Sequence, residues 1–263
     1  MSGFDPDWLR LREPADRRAR NANVLNAVTA HFADHDTVRI LDIGCGLGSN
    51  FRALSPHLPA AQSWSLADHD ASLLRGARDA ICGAGTAMSV QTHCIDLATD
   101  AARLLDLKPD IVTAAAFFDL VSASWIRDFV AALKAWNLPL YAVLTYDGTE
   151  QWRPPHPADA AVLSAFHAHQ AGNKGFGPAA GPKAHEILAA ALRDAGYRLI
   201  EGDSPWRLAG AEDATLIAAL AAGTAQAVRE TGLLPVSDID AWQAARAHTR
   251  ASVVGHKDLF AYS

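Results

Sequence analysis

Short apolar runs alternate with helical patterns along the first part of the chain. These runs, the first of which is apolar and rich in β-branched residues, predict five strands, at about 38–43, 63–67, 89–93, 110–115 and 140–144. Between them, apolar residues recur at three- and four-residue steps, which predicts helices at about 51–58, 71–81, 100–107 and 125–136. This alternation predicts βαβ units, a parallel sheet and helices on both of its faces.

A helical pattern precedes the first strand. Val24, Val28 and Phe32 share one face, which predicts a helix over 16–34 inside an N-terminal helical segment, residues 1–35. The remainder is expected to form a single α/β domain.

The second half of the chain, within the domain 36–263, follows the same plan. A helix is predicted at 184–195, a strand at 197–201 and a last strand inside 252–262. The residues between the last two strands carry a helical apolar stripe, which predicts a helical insertion over about 205–250.

Composition narrows the class of protein. The chain has 263 residues, of which 50% are hydrophobic and 20% charged, so it can form a substantial core. The formal net charge is −6, and the densest basic stretch, 10–20, also contains Glu13 and Asp16. No nucleic-acid partner is therefore expected, because phosphate binding normally needs a basic patch.

The cysteines and the apolar runs indicate in which cellular compartment the protein works. The number of cysteines is odd, and the spacing of Cys45, Cys82 and Cys94 fits neither a disulfide scaffold nor a zinc site, so a reducing compartment is expected. The N-terminus is polar, and no apolar run reaches the roughly 18 residues of a membrane span. The sequence thus predicts a cytoplasmic protein with no membrane span.

A glycine-rich loop joins the first strand to the next helix. Gly44, Gly46 and Gly48 follow an apolar strand, and a strand that ends this way lets a ligand lie against bare backbone. The spacing differs from the dinucleotide fingerprint G-x-G-x-x-G, and no P-loop sequence is present. A glycine turn without a ligand is the alternative interpretation.

Two acids accompany the glycine loop. Asp42 precedes the first glycine, and Asp68 ends the next apolar run. This order resembles the first motif of class I S-adenosylmethionine-dependent methyltransferases, by motif over roughly 36–147 and by topology elsewhere. The resemblance implies S-adenosylmethionine as cofactor. It also implies a seven-stranded, mostly parallel sheet with helices on both faces, whose last strand is antiparallel and follows the helical insertion.

The resemblance also implies roles for individual residues. Gly44 and Gly46 would carry the methionine part of the cofactor, and Asp42 would orient the loop or bind the amino group, directly or through water. Asp68 would accept both ribose hydroxyls, a task that suits the two oxygens of a carboxylate. His69 would flank the adenine.

The next two strand ends would complete the cofactor pocket. Asp96 would accept from the adenine amino group, the amide of Leu97 would face the ring, and Ala115 and Phe117 would close the pocket below the methyl donor. Each acid has a structural alternative. Asp42 could be a surface acid, Asp68 could cap the following helix as Asp70 does, and Asp96 could cap the helix near Leu97.

An arginine from the N-terminal segment could pair with the cofactor's carboxylate. Pro14 suits a first helical turn, which places Arg12 just before that helix and Arg17 and Arg20 within it. We expect Arg20 to make this pair, since it lies furthest along the helix leading to strand one. A solvated charged face is the alternative.

Acceptor chemistry is expected where strands four and five end. Asp119, Tyr146 and Asp147 lie there, and Asp119 could act as a base for a hydroxyl or amine nucleophile. Because the methyl group of a sulfonium is already activated, positioning and desolvation could suffice without a base.

Two further groups of residues follow strand five. The His167-x-His169 pair could ligate a metal, but no fixed partner spacing supports a metal site. The glycine-rich loop 172–182, with Lys174 and Phe176, could form a lid over the acceptor pocket together with the insertion.

Aromatic residues and the insertion bear on the acceptor and on assembly. Trp152, Trp206 and Trp242 could line an acceptor pocket, although tryptophan also suits a core.

The expected function is methyl transfer to a small-molecule acceptor. A protein or RNA methyltransferase and a non-catalytic cofactor-binding protein are the alternatives, and a homodimer would bury the apolar stripe of the insertion.

Overall fold

A computed structural model describes residues 5–83 and 88–263; the first four residues of the predicted N-terminal segment and the side chain of Cys82 lie outside this description. Ten α-helices are described: α1 (Pro6–Ala19), α2 (Ala22–Phe32), α3 (Ser49–Leu54), α4 (Ala71–Gly83), α5 (Leu97–Asp100), α6 (Ala123–Ala135), α7 (Asp159–Gln170), α8 (Ala184–Asp194), α9 (Ala214–Thr231) and α10 (Val236–Arg246). The described strands are β1 (Thr37–Ile43), β2 (Ala61–Asp68), β3 (Ser89–Cys94), β4 (Ile111–Ala115), β5 (Leu140–Arg153), β6 (Arg198–Asp203), β7 (Trp206–Ala209) and β8 (Ala251–Tyr262).

All described strands belong to one sheet, in the order β3-β2-β1-β4-β5-β8-β6. The first five are parallel, and β8 runs antiparallel between β5 and β6. The predicted fold class is confirmed, including the antiparallel last strand and the helices before it. One strand was not predicted: β7 pairs with the first residues of β8, so the described sheet has eight strands.

Helices cover both faces of the sheet because the inner strands are apolar on both sides. On one face, α2, α3 and α4 pack around residues such as Ile40, Trp64 and Leu66. On the other face, α6 and α8 pack around residues such as Leu41 and Val112. Buried on both sides, β1 is a rigid support for the loop that follows it.

The N-terminal helix predicted over 16–34 is wrong, because the chain forms two helices there. Asp5 caps α1 by accepting from the backbone N–H of Asp7, and Pro6 suits the first turn, so α1 begins well before Pro14. Asn21 then caps α2 by accepting from two backbone N–H groups. Pro14 therefore lies inside a helix, and Arg20 stands at the break between the helices.

Beyond the main sheet, β5 and β8 extend into a third apolar cluster. The last residue of β4 pairs with Val143, yet β5 continues to Arg153 beside the first half of β8. On this extension and on β7 pack α1, α7, α9 and α10. We call α1, α7, β7, α9, α10 and the extended parts of β5 and β8 the cap. It stands at the carboxyl ends of the parallel strands, where open α/β sheets bind ligands.

Candidate cofactor and acceptor site

The glycine loop has a backbone that glycine alone adopts readily. Gly44, Gly46 and Gly48 have φ angles of 63°, 52° and 76°. A Cβ on Gly44 would lie 2.6 Å from the ring of Phe117, and one on Gly46 would lie 3.3 Å from Leu9 of α1. The loop is therefore a cradle lined by backbone, with the end of β4 on one side and α1 on the other.

Asp42 is fully buried and fixes the start of α3. Its Oδ1 accepts hydrogen bonds from Asn50 Nδ2 and Thr113 Oγ1, both at 2.7 Å, while its Oδ2 has no partner among the described residues. Burial raises the pKa of Asp42 to about 6, against the opposing influence of Asn50, Thr113 and Arg20. The surface-acid alternative is thus wrong, and this geometry suits a residue that orients the loop.

Asp68 ends β2 beside the glycine loop. Its Oδ2 accepts from the backbone N–H of Gly46 at 2.9 Å, and its Oδ1 accepts from that of Asp70 at 3.0 Å. His69 Nδ1 lies 3.2 Å from the same Oδ1, and this imidazole is partly exposed. The helix α4 is capped by Asp70, which accepts from Ser72 and Leu73, so Asp68 is not the capping residue.

Asp96 stands at the end of β3 in a more open position. It is exposed and caps α5 by accepting from the backbone N–H of Ala98 at 2.9 Å, as the structural alternative expects. Leu97 is buried, and its carbonyl accepts from Trp125 Nε1 at 2.8 Å. This helix capping uses Asp96 Oδ1, and Asp96 Oδ2 forms no hydrogen bond with the described residues.

Ala115 and Phe117 flank a sharp turn at the end of β4. Between them Ala116 has a φ of 50°, a conformation that costs a residue with a side chain some strain. The turn directs the Phe117 ring against Gly44, where a Cβ would lie only 2.6 Å from the ring. Phe117 also packs edge-on against Trp125 and Phe176, at 5.5 and 5.8 Å between ring centroids.

Arg20 brings unpaired donors to the same region. Its Nε and Nη1 are buried and have no hydrogen-bond partner among the described residues. The positive charge lies close enough to Asp42, Tyr141 and Asp258 to lower the pKa of each, although burial raises all three overall. Asp258 in turn accepts from the backbone N–H groups of Asn21 and Leu144, both at 2.8 Å, and so ties the α1–α2 break to β5.

Asp119 and Tyr146 meet where the acceptor is expected. The backbone N–H groups of Asp119 and Tyr146 lie close enough to the Asp119 carboxyl group to lower its pKa, while its Oδ1 is buried without a partner among the described residues. Burial raises the pKa of Asp119 to about 6, and the nearby Arg12 opposes that shift. Asp147 instead closes a turn by accepting from the N–H and the hydroxyl of Thr149.

The Tyr146 hydroxyl joins a network that the sequence did not predict. It donates to Glu150 Oε1 at 3.0 Å and lies 3.1 Å from His167 Nε2. Burial raises the pKa of Glu150 to about 7 and lowers that of His167. Tyr146 and Glu150 have equal parity along β5, a period-two signal that could have placed them on one face, although a bulge lies between them.

His256, Arg12 and Trp206 complete this region from the cap side. The His256 ring lies 6.1 Å from Tyr146 and 5.1 Å from Trp206, and burial lowers its pKa to about 3. Arg12 stacks over Trp206 at 5.0 Å and makes a bidentate ion pair with Asp16.

The other tryptophans predicted to line the acceptor pocket belong to the cap interior. Trp152 and Trp242 pack against each other at 5.6 Å, with Arg246 between their faces. Of the predicted trio, Trp206 packs against His256, and Trp152 lies close enough to Glu150 to lower the pKa of that acid. The position of Trp152 and Trp242 fits the core alternative.

The candidate lid contacts residues that follow β4. Phe176 of loop 172–182 packs on Trp125 at 5.6 Å, and Ala180 donates its N–H to the carbonyl of Val121. His169, which precedes this loop, has its Nε2 3.0 Å from Glu230 Oε2. In the described ranges 5–83 and 88–263, no three acids, histidines or cysteines cluster in a way that could hold a metal ion.

Two more observations concern the whole described chain. Cys45 and Cys94 are free thiols. None of the helices described in 5–83 and 88–263 combines the length and hydropathy needed to cross a bilayer.

Known structures resemble the whole chain at low sequence identity. A cyclopropane-fatty-acyl-phospholipid synthase-like protein from Lactobacillus casei is 16% identical with a TM-score of 0.59, and the match covers 96% of this chain and 92% of that one. A cyclopropane synthase from Mycobacterium tuberculosis is 11% identical with a TM-score of 0.56, covering 99% and 95%. The chain has the class I methyltransferase fold.

A third structure with this fold was solved with a ligand. It is an S-adenosylmethionine-dependent methyltransferase from Geobacter sulfurreducens in complex with S-adenosyl-L-homocysteine, 13% identical, with a TM-score of 0.52 and full coverage of both chains. No protein-family model matches the chain, and no curated protein matches its sequence. At these identities the class I methyltransferase fold is what the likeness establishes.

Proposed function

We propose that the protein is an S-adenosylmethionine-dependent methyltransferase that acts on a small-molecule acceptor. The observation that carries the proposal is the cradle at the end of β1, where Gly44 and Gly46 present bare backbone beside the carboxylate of Asp68. The solved complex of a protein with the same fold and S-adenosyl-L-homocysteine supports the choice of cofactor.

The residues present fit this cofactor chemically. The unpaired Nε and Nη1 of Arg20 suit a carboxylate, which the methionine part of the cofactor carries. Asp68 offers two oxygens to a pair of hydroxyls, and Asp96 keeps one oxygen beyond its helix cap for an amino group. His69 and Leu97 would border the adenine, and the unpaired Oδ2 of Asp42 can accept through a water.

When bound, S-adenosylmethionine supplies a methyl group on a sulfonium. That methyl group would pass to a lone pair of the acceptor, so the site would have to hold the two in line. The protein's part is to align the acceptor and exclude water. Phe117, packed on Gly44 and against Phe176, is placed to exclude water, and Asp119 is placed to take a proton from the acceptor.

A pair of ligands tests the assignment of Arg20 separately from that of Asp68. S-adenosylhomocysteine carries the amino-acid part, whereas 5′-methylthioadenosine lacks it. Arg20→Gln should weaken S-adenosylhomocysteine binding by about tenfold to a hundredfold, since a charged hydrogen bond contributes roughly 1.5–3 kcal/mol. It should leave the affinity for methylthioadenosine unchanged.

Asp68→Asn should weaken both ligands, because both carry the ribose. Calorimetry with the two ligands measures this pattern, and Arg75→Gln, a change at an exposed arginine of α4, is the control. Equal losses for both ligands in Arg20→Gln would mean that Arg20 supports the fold and does not bind the carboxylate.

A further inference from the structure

We propose that the acceptor carries a protonated amine, which binds between Asp119 and Glu150 and gives a proton to Asp119 before methyl transfer. This inference rests on the proposed function and assigns the class of its acceptor. It follows from four features of the site: the closeness of two acids to one tyrosine, the absence of a cation for either acid, the unpaired acceptor atoms around them, and the position of Asp119 near the cradle.

Tyr146 is a neighbour of both acids. Its backbone N–H lies close enough to Asp119 to lower the pKa of that acid, and its hydroxyl donates to Glu150 Oε1 at 3.0 Å. The tyrosine is almost fully buried, and His167 Nε2 lies 3.1 Å from the hydroxyl. The acceptor would therefore meet Tyr146 together with the two acids.

Neither carboxyl group has a cation to compensate it. Within residues 5–83 and 88–263, no lysine, arginine or histidine forms an ion pair with Asp119 or Glu150. Arg12 is the cation whose charge lowers the pKa of Asp119, and it is already paired in bidentate fashion with Asp16.

The two neighbouring imidazoles do not supply the missing charge. Burial lowers the pKa of His167 and lowers that of His256 to about 3, so both are neutral at pH 7. Desolvation accordingly raises the pKa of Asp119 to about 6 and that of Glu150 to about 7. A desolvated carboxylate without a compensating cation is costly, and a ligand cation removes that cost.

The unpaired polar atoms around Tyr146 suit an ammonium group. Asp119 Oδ1 is buried without a partner, and so is Nδ1 of His256, whose side chain is 6% exposed and stands between the Tyr146 and Trp206 rings. An ammonium has three donors for such atoms, and its charge is attracted to aromatic faces. A carboxylate ligand would instead add a third negative charge, and an alcohol would leave the acids uncompensated.

The two acids lie in different parts of the site and therefore have different roles. Asp119 follows Phe117 by two residues, and Phe117 packs on Gly44 of the cradle, so Asp119 lies on the cofactor side. Glu150 belongs to the extended part of β5, within the cap. The amine loses one proton to the Asp119 carboxylate, which exposes the nitrogen lone pair for the new bond to carbon, while Glu150 and Tyr146 position the acceptor.

A set of probes with one carbon skeleton tests the charge preference directly. The full chain is first titrated with S-adenosylhomocysteine and then, saturated with it, with benzylamine, benzyl alcohol and benzoate by ligand-observed NMR. We expect benzylamine to bind at least about tenfold more tightly than the other two. Asp119→Asn and Glu150→Gln should each reduce benzylamine affinity by about tenfold or more and leave benzyl alcohol affinity unchanged, since each removes a charged partner.

Glu212→Gln, a change at an exposed acid before α9, is the control and should alter neither affinity. Carboxyl carbon NMR gives a second readout: benzylamine should lower the pKa of Asp119 from about 6 in the free protein. Failure of benzylamine to bind, equal or tighter binding of benzyl alcohol or benzoate, or a preference that survives both substitutions would overturn the amine assignment. A protein that does not bind S-adenosylhomocysteine would refute the proposed function itself.

Discussion

Replacing Asp42 with asparagine should remove a pH dependence from the stability of the protein. Asp42 is fully buried, and burial raises its pKa from 3.8 to about 6. The folded protein therefore binds this proton more tightly than the unfolded chain does. Stability from this group is greatest at acid pH and falls as the pH rises from about 4 to about 6.

The size of the effect follows from the difference between the two pKa values. A difference of about two units corresponds to about 3 kcal/mol, since one unit is worth about 1.36 kcal/mol. Asparagine keeps a carbonyl oxygen for the hydrogen bonds from Asn50 and Thr113 but does not titrate. The stability of Asp42→Asn minus that of the wild type should therefore rise by about 3 kcal/mol between pH 4 and pH 7.

Urea unfolding at half-unit pH steps measures this difference. Other acids with raised pKa values titrate in the same range, and subtraction of the wild-type curve cancels their contribution. Asp79→Asn, at an exposed position on α4, is the matched control and should give a nearly flat difference. A flat difference for Asp42→Asn would refute the argument. A difference that falls with pH would mean that Arg20 stabilises the Asp42 carboxylate and is not held free for a ligand.

Four further substitutions have expected outcomes. Gly44→Ala should destabilise the fold by about 1–2 kcal/mol from its left-handed backbone alone, with more from the contact with Phe117, whereas Gly223→Ala on α9 should stabilise it by up to about 1 kcal/mol in thermal unfolding. Asp258→Ala should cost roughly 2–6 kcal/mol in urea unfolding, because it leaves the buried N–H of Leu144 and the partly buried N–H of Asn21 without acceptors; a loss below 1 kcal/mol would contradict this. Phe176→Ala should leave S-adenosylhomocysteine affinity within about twofold and weaken benzylamine binding, and the reverse pattern in calorimetry would exclude the loop from the acceptor side.

The sequence was sufficient to predict the sheet and the strand ends that carry the cradle. Strand β1 is buried at every residue from Ile40 to Ile43, and β2 is buried from Leu66 to Asp68, because parallel strands are covered on both faces. Since parallel strands share one carboxyl edge, Asp42, Asp68 and Asp119 could be expected near one another without knowledge of the packing.

The cap could not be predicted at the same level. The chain after Leu144 contains Asp147 and Gly148, which resembles a turn, yet β5 continues through it by means of two register irregularities. The four residues of β7 are too few for a period to stand out, and their partner in β8 is distant in the chain. The sequence does not reveal the break at Asn21, because the apolar stripe of α2 resembles the end of a longer helix.

The acceptor network depends on contacts that sequence spacing does not encode. Tyr146 and His167 are brought together by the packing of α7 on the extended β5, and His256 reaches the same place from β8. Bulges decide which side chains share a face there, and a shift of one residue would place them on the other face of the sheet.

Cofactor binding is the central claim, and isothermal titration of the full chain with S-adenosylhomocysteine and with NAD tests it most directly. The glycine spacing, the carboxylate of Asp68 and the unpaired donors of Arg20 lead us to expect a 1:1 complex with S-adenosylhomocysteine. Its dissociation constant should be in the micromolar range, or roughly −8 kcal/mol, with no heat of binding from NAD. Saturable binding of NAD without any response to S-adenosylhomocysteine would contradict the account.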